Sequence, residues 1–226
     1  MNNINNIADH DKTSNSLLLR NGNMVLSDAQ NAGTDDAQSC TLILTEGDSM
    51  KSIALTGLNI IGPKYFGVFP LQGSFLNIDQ AQWDNNILEN EEIQNIERIM
   101  GFQCKKEYKN LSGLRYGSIM IMVNQDQYGS HLKAVLISFL RQIYPSVLQI
   151  PDFLVEFVMP SIQATKEKEL KEFFTIAEYE HWARGEPDSH QWDIKNLKQR
   201  SASEADVCRY FRDMKNYLII LTPIAL

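Results

Sequence analysis

TLILTEGDS, from Thr41 to Ser49, and SIMIMVNQDQYGS, from Ser118 to Ser130, decide how this chain folds. Each begins as an apolar, strand-like run and ends in a turn that carries acids. The first run delivers Glu46, Gly47 and Asp48; the second delivers Asn124, Gln125 and Asp126. Ser118 to Val123 is almost continuously apolar, the pattern of a central parallel strand covered on both faces. Two strand ends bearing carboxylates in one α/β sheet suit Mg2+, which takes a few hard oxygens and keeps several waters. The second cluster reads N-x-D-x-Y, so Asp126 is its only carboxylate and Asn124 and Tyr128 flank it. Glu46 with Asp126 is enough for one weakly held Mg2+ and a poor basis for two.

Outward from these runs the chain alternates as βαβα units do. Ser49 is placed to cap a helix through Ile53 to Leu58. Tyr65 to Phe69 reads as the next strand, ended by Pro70. Asn90 to Met100 sets Ile93, Ile96 and Met100 on one helical face, and Gly101 stops it. Leu132, Val135, Leu136 and Leu140 give a helix over Ser130 to Tyr144, with His131 near its start. Phe153 to Val158 is a further strand. The charge run Lys166 to Glu172 reads as a solvated hairpin or helix face. Thr175 and Ser203 are positioned to cap helices reaching Arg184 and Met214. Met120 and Met122 read as core, and Trp83, Trp182 and Trp192 as packing anchors. The apolar run Tyr217 to Leu226 is too short to span a bilayer and contains Pro223, so it reads as a strand or a truncated stub.

Composition narrows the function. Apolar residues make up 43% and charged residues 22%, which suits a chain with a real core. The net charge of −7 has the wrong sign for a surface that attracts nucleic acid everywhere, although a local basic groove is compatible with it. Cys40, Cys104 and Cys208 stand far apart and read as reduced thiols in a cytosolic or nuclear protein. Residues 1–25 form an Asn-rich arm expected to be disordered, without the apolar stretch of a secretory signal.

EGDS (Glu46–Ser49), PLQGSFLN (Pro70–Asn77), LRYGSIMIMVNQDQYGSH (Leu114–His131) and FLVEFVMPSIQATK (Phe153–Lys166) stand in one order. In that order they resemble the TOPRIM region of eukaryotic-type type II DNA topoisomerases. The resemblance begins near Asp28, is dense to Lys166 and thins towards Phe211. It implies an α/β fold, a mainly parallel TOPRIM sheet flanked by helices over 26–166, with a smaller, partial α+β extension over 167–226. In that family the TOPRIM acids hold Mg2+ beside the scissile phosphate while a tyrosine from a separate domain attacks it, and two metals can clamp such a displacement. Carried over, Glu46 matches the glutamate that is both metal ligand and general acid. Asn124, Asp126 and Tyr128 occupy the D-x-D-x-D positions, a degenerate set of which only Asp126 keeps its acid. The resemblance therefore implies Mg2+ as cofactor, here weakly bound or lost.

The DNA-facing positions that the resemblance assigns are Gln72, Ser74, Asn77, Lys198 and Arg200. Gln72 and Ser74 replace an arginine and a lysine of the family pattern. Losing two cations removes about two released counterions and lowers affinity roughly tenfold to a hundredfold. Asn77, Lys198 and Arg200 retain polar or cationic character, but the glycines of the K-G-L-G-T loop are gone. No ATP-binding or nucleophile-bearing region is legible beside this module, so the chain alone is expected neither to hydrolyse ATP nor to pass strands. The leading expectation is a degenerate TOPRIM module that binds DNA weakly, or binds topoisomerase-like chains, in the nucleus and without a membrane. The alternatives are a Mg2+-dependent cleavage subunit that borrows a tyrosine from a partner, a non-enzymatic scaffold or decoy, and a relic of a decaying gene copy.

Overall fold

Strand side chains alternate between two faces, and here both faces are apolar, so the sheet must be covered on both sides. The computed structural model describes residues 20–21, 24–71, 87–103, 106–197 and 202–221. Residues 1–19, Trp83, Cys104 and the loop positions Gln72, Ser74, Asn77, Lys198 and Arg200 lie outside the described residues. At the end of the expected arm, β1 (Arg20–Asn21) and β2 (Met24–Val25) pair antiparallel. The main elements then follow as β3 (Thr41–Glu46), α1 (Gly47–Ile61), β4 (Phe66–Leu71), α2 (Glu91–Met100), β5 (Ser118–Met122), α3 (Gln127–Ile143) and β6 (Leu154–Phe157). There follow β7 (Ile162–Lys166), β8 (Glu169–Phe173), α4 (Ile176–Gly185), β9 (Asp193–Asn196), α5 (Glu204–Arg212) and β10 (Leu218–Ile220).

Five strands make one sheet in the order β10-β6-β5-β3-β4. The three pairings among β6, β5, β3 and β4 are parallel, and β10 joins antiparallel, on β6. Leu42 and Leu44 of β3 share one core with Ile119 and Ile121 of β5, Ile93 and Ile96 of α2, and Leu136 and Phe139 of α3. Ile43, Met120 and Met122 point to the opposite core, with Met50 and Ala54 of α1 and Val207, Tyr210 and Phe211 of α5. Thus α2 and α3 cover one face and α1 and α5 the other. The second, antiparallel sheet has the order β8-β7-β9. Its small core joins Ile162, Ala164 and Phe173 to Trp192, against which Trp182 packs edge-on at 5.2 Å between ring centroids. Both tryptophans are packing anchors, as the sequence implied.

Two local expectations are corrected. Ser49 does not cap α1: the helix already begins at Gly47, with Glu46 in the cap position and no side-chain cap bond. Gly47 turns the chain there at φ 62°, a left-handed conformation that glycine adopts without penalty. Pro70 does not end its strand, because β4 runs on to Leu71. β4 is the last strand of the sheet, where the missing proline N–H removes no ladder bond from an outer neighbour. The Thr175 and Ser203 caps fall where the sequence put them, and Asn90 caps the helix expected from it. Asn90 Oδ1 accepts from the amides of Glu92 and Ile93, and Thr175 and Ser203 each close a capping box. The charge run is the β7–β8 hairpin.

Candidate functional site

In open α/β sheets the functional crevice forms beyond the carboxyl ends of parallel strands, where neighbouring connections leave towards opposite faces. β3 and β5 meet that condition. They pair in parallel with Thr45 opposite Met122, α1 leaves β3 towards one core, and α3 leaves β5 towards the other. Glu46 therefore ends one strand beside Asn124, just past the end of the next.

The half-buried Glu46 carboxylate uses this proximity. Its Oε2 accepts from the Asn124 backbone N–H at 3.1 Å and from the Asn124 side-chain Nδ2 at 3.0 Å. Asp126 is the N-cap of α3, and its Oδ1 accepts from the Gly129 N–H at 2.9 Å. Between them the chain is pressed close. A Cβ built on Gly129 would lie 2.0 Å from the Asn124 carbonyl oxygen, so only glycine fits at this turn. Tyr128, at the third D-x-D-x-D position, stands 69% exposed, with its phenol turned to solvent. Asp48 is exposed in the first turn of α1, and His131 lies within α3 on its exposed side.

A second polar group, which sequence reasoning passed over, supports this loop from below. Glu156 sits in the middle of β6 with its side chain 4% exposed. Lys133 Nζ, reaching down from α3, donates to both of its oxygens at 2.9 Å, and Gln125 Nε2 donates to Oε1 at 3.1 Å. An ionisable residue inside an apolar strand was the signal, since buried carboxylates persist only when paired. The effect is to tie the loop that carries Asn124 and Asp126 to the next parallel strand.

The donor set can be tested against the ions that the resemblance implies. A Mg2+ site needs oxygens that accept, whereas Asn124 presents an N–H to the very carboxylate that would have to share the ion. Tyr128 offers an exposed phenol in place of a carboxylate, and one oxygen of Asp126 caps a helix. Among the described residues no group of three or more His, Cys, Asp or Glu side chains is arranged to hold a metal. These residues do not fit the two-ion site, and no chemical step is derived through it.

A strand-end crevice carrying Glu46 and the Asn124–Asp126 loop on a parallel sheet, with a small antiparallel sheet after it, defines a TOPRIM-type module. The C-terminal associated domain of TOPRIM matches residues 157–223. DNA topoisomerase 2 of Penicillium chrysogenum is 44% identical over 213 residues, covering 92% of this chain and 13% of that protein. The Pisum sativum DNA topoisomerase 2 is 46% identical over 190 residues, and human DNA topoisomerase 2-alpha 43% over 198. They are covered over 83% and 86% of this chain respectively, and over 13% of each relative. A crystal structure of the Plasmodium falciparum topoisomerase II DNA-binding, cleavage and re-ligation domain superposes with a TM-score of 0.75 at 43% identity, covering 86% of this chain and 26% of that one. The chain is related, over most of its length, to the TOPRIM region of eukaryotic-type type II DNA topoisomerases. It spans about 13% of the length of the relatives it matches.

Proposed function

We propose that this chain is a TOPRIM module of the type II topoisomerase family that holds DNA, or a topoisomerase-like chain, without cutting. The observation that carries this reading is the double donation from Asn124 to Glu46. The family pattern asks for an acid at that position; here an amide donor closes on the glutamate. Glu46 is thereby oriented as a strand-end anchor, and it would no longer be free to act as the family's general acid. Tyr128 adds an exposed phenol where a third acid would stand. Gln72 and Ser74 supply no cations, while Asn77, Lys198 and Arg200 remain as candidate phosphate contacts, which supports weak rather than absent DNA binding. Among the described residues no helix is long and apolar enough to cross a membrane. The proposed place of action is the nucleus, where the chromosomal substrate of such a module lies.

The test is fluorescence anisotropy of a labelled DNA duplex at several salt concentrations, with Mg2+ and with EDTA. Weak, salt-sensitive binding that is indifferent to EDTA is expected, and Lys198→Ala/Arg200→Ala should flatten the salt dependence by about two counterions. Plasmid cleavage by the chain mixed with a tyrosine-bearing topoisomerase partner would overturn the reading. Binding to such a partner with no measurable DNA affinity would remove the DNA half of it.

A further inference from the structure

We infer that the Asn124 side-chain amide stands in for the divalent cation at this crevice, holding the ends of β3 and β5 together from within the chain and closing the site to metal. The inference rests on the reading of Asn124 given above and concerns what that residue does for the fold, in the absence of any DNA.

Among the described residues, both donors to Glu46 Oε2 come from one residue, through its backbone N–H at 3.1 Å and its Nδ2 at 3.0 Å. A single carboxylate oxygen thus bridges two parallel strands. The orientation of the amide follows from chemistry: turned over, its oxygen would face Oε2, acceptor against acceptor, beside an unused donor. With an aspartate at 124 that opposition would be unavoidable, as two carboxylates at such a distance cannot both stay charged without a cation or a proton between them. An amide removes the conflict. It takes away one negative charge and supplies, as N–H dipoles, the positive potential that an ion would bring.

The surroundings favour a permanent arrangement. Gly129 lies so near the Asn124 backbone that a Cβ there would meet its carbonyl oxygen at 2.0 Å, so the loop is packed directly on the start of α3. Lys133 of α3 is engaged by Glu156 through both carboxylate oxygens. Asp126 has one oxygen committed to the Gly129 amide.

The experiment is thermal unfolding of the full chain in EDTA and in millimolar Mg2+, for the wild type, Asn124→Asp and Glu46→Gln/Asn124→Asp. The wild type should melt at the same temperature in both buffers, within about 1 °C, because an ion that does not bind the folded state cannot stabilise it. Asn124→Asp should melt about 5 °C lower in EDTA, from loss of a charged hydrogen bond and gain of repulsion, and recover with Mg2+. The double variant exchanges donor and acceptor, so it should regain most of the loss in EDTA alone. Two results would overturn the inference: a wild-type melting temperature that climbs with Mg2+ by several degrees, or a double variant that melts as low as Asn124→Asp. If Asn124→Asp fails to fold in EDTA, the wild-type response to Mg2+ and the double variant still decide. None of these readouts uses DNA, so the proposed function and this inference can fail separately.

Discussion

Replacing Lys133 by methionine should destabilise the chain by about 3 kcal/mol, although the residue sits on a partly exposed helix face. The magnitude follows from its partner. Glu156 is 4% exposed at its side chain and Lys133 27%, and the ammonium lies 2.9 Å from each carboxylate oxygen. At an effective dielectric of about 20, charges this close attract by roughly 5 kcal/mol before desolvation is counted. Removing one member of a buried pair costs about 3–5 kcal/mol, because the other charge is left behind. Gln125 still donates to Oε1 and offsets about 1 kcal/mol, while methionine keeps the apolar stem. At about 2–4 °C per kcal/mol for a chain of this size, the midpoint should fall by roughly 6–12 °C. Urea titration followed by circular dichroism gives the free energy directly. The companion Lys133→Met/Glu156→Leu removes both charges and should return to within about 1 kcal/mol of the wild type. A Lys133→Met protein melting within about 2 °C of the wild type would refute the reasoning. So would a double variant no more stable than the single one.

Gly129→Ala should cost about 3 kcal/mol or more, since its methyl would meet the Asn124 carbonyl at 2.0 Å; Tm measured beside Gly185→Ala, where nothing lies within 4 Å, isolates the clash. Asn90→Ala removes the acceptor for two amides of α2 and should lower stability by about 1 kcal/mol, read from denaturant midpoints. Alkali should weaken the fold through its tyrosines. Burial, then the hydrogen bond to Glu172, pushes Tyr217 up to about 12, and burial raises Tyr116 and Tyr210 as well. Folded-state values above the unfolded value near 10 mean that this contribution is intact below about pH 10 and lost as pH rises through about 12. Tyr217→Phe should make the fall shallower in urea titrations stepped across that range.

Much of the fold was legible because it depends on short-range pattern. The apolar runs at 41–45 and 118–123 announce central strands, and Thr175 and Ser203 announce helix starts through caps that need only a few neighbouring residues. Ser49 misled because a helix start is fixed by backbone geometry as well as by the cap residue, and the turn at Gly47 comes first. Pro70 misled because its effect depends on whether a strand lies at an edge, which is a property of the sheet. At the site, the replacement of an acid by Asn124 is visible in the sequence. That the amide reverses the polarity of the position, donating to Glu46, needs two strand ends brought together in space. The Lys133–Glu156–Gln125 group depends on three elements and was out of reach of any local window, although a lone glutamate in an apolar strand pointed to it.

The return of the late elements α5 and β10 to the early sheet has a consequence for how the protein is made. Until Val207, Tyr210 and Phe211 have left the ribosome, Ile43, Met120 and Met122 lack part of the cover they pack beneath in the folded chain. Parallel pairings form slowly because they join distant segments, and a half-covered sheet is open to wrong partners meanwhile. Synthesis of this chain therefore passes through a long window in which a holdase that shields apolar surface would raise its yield.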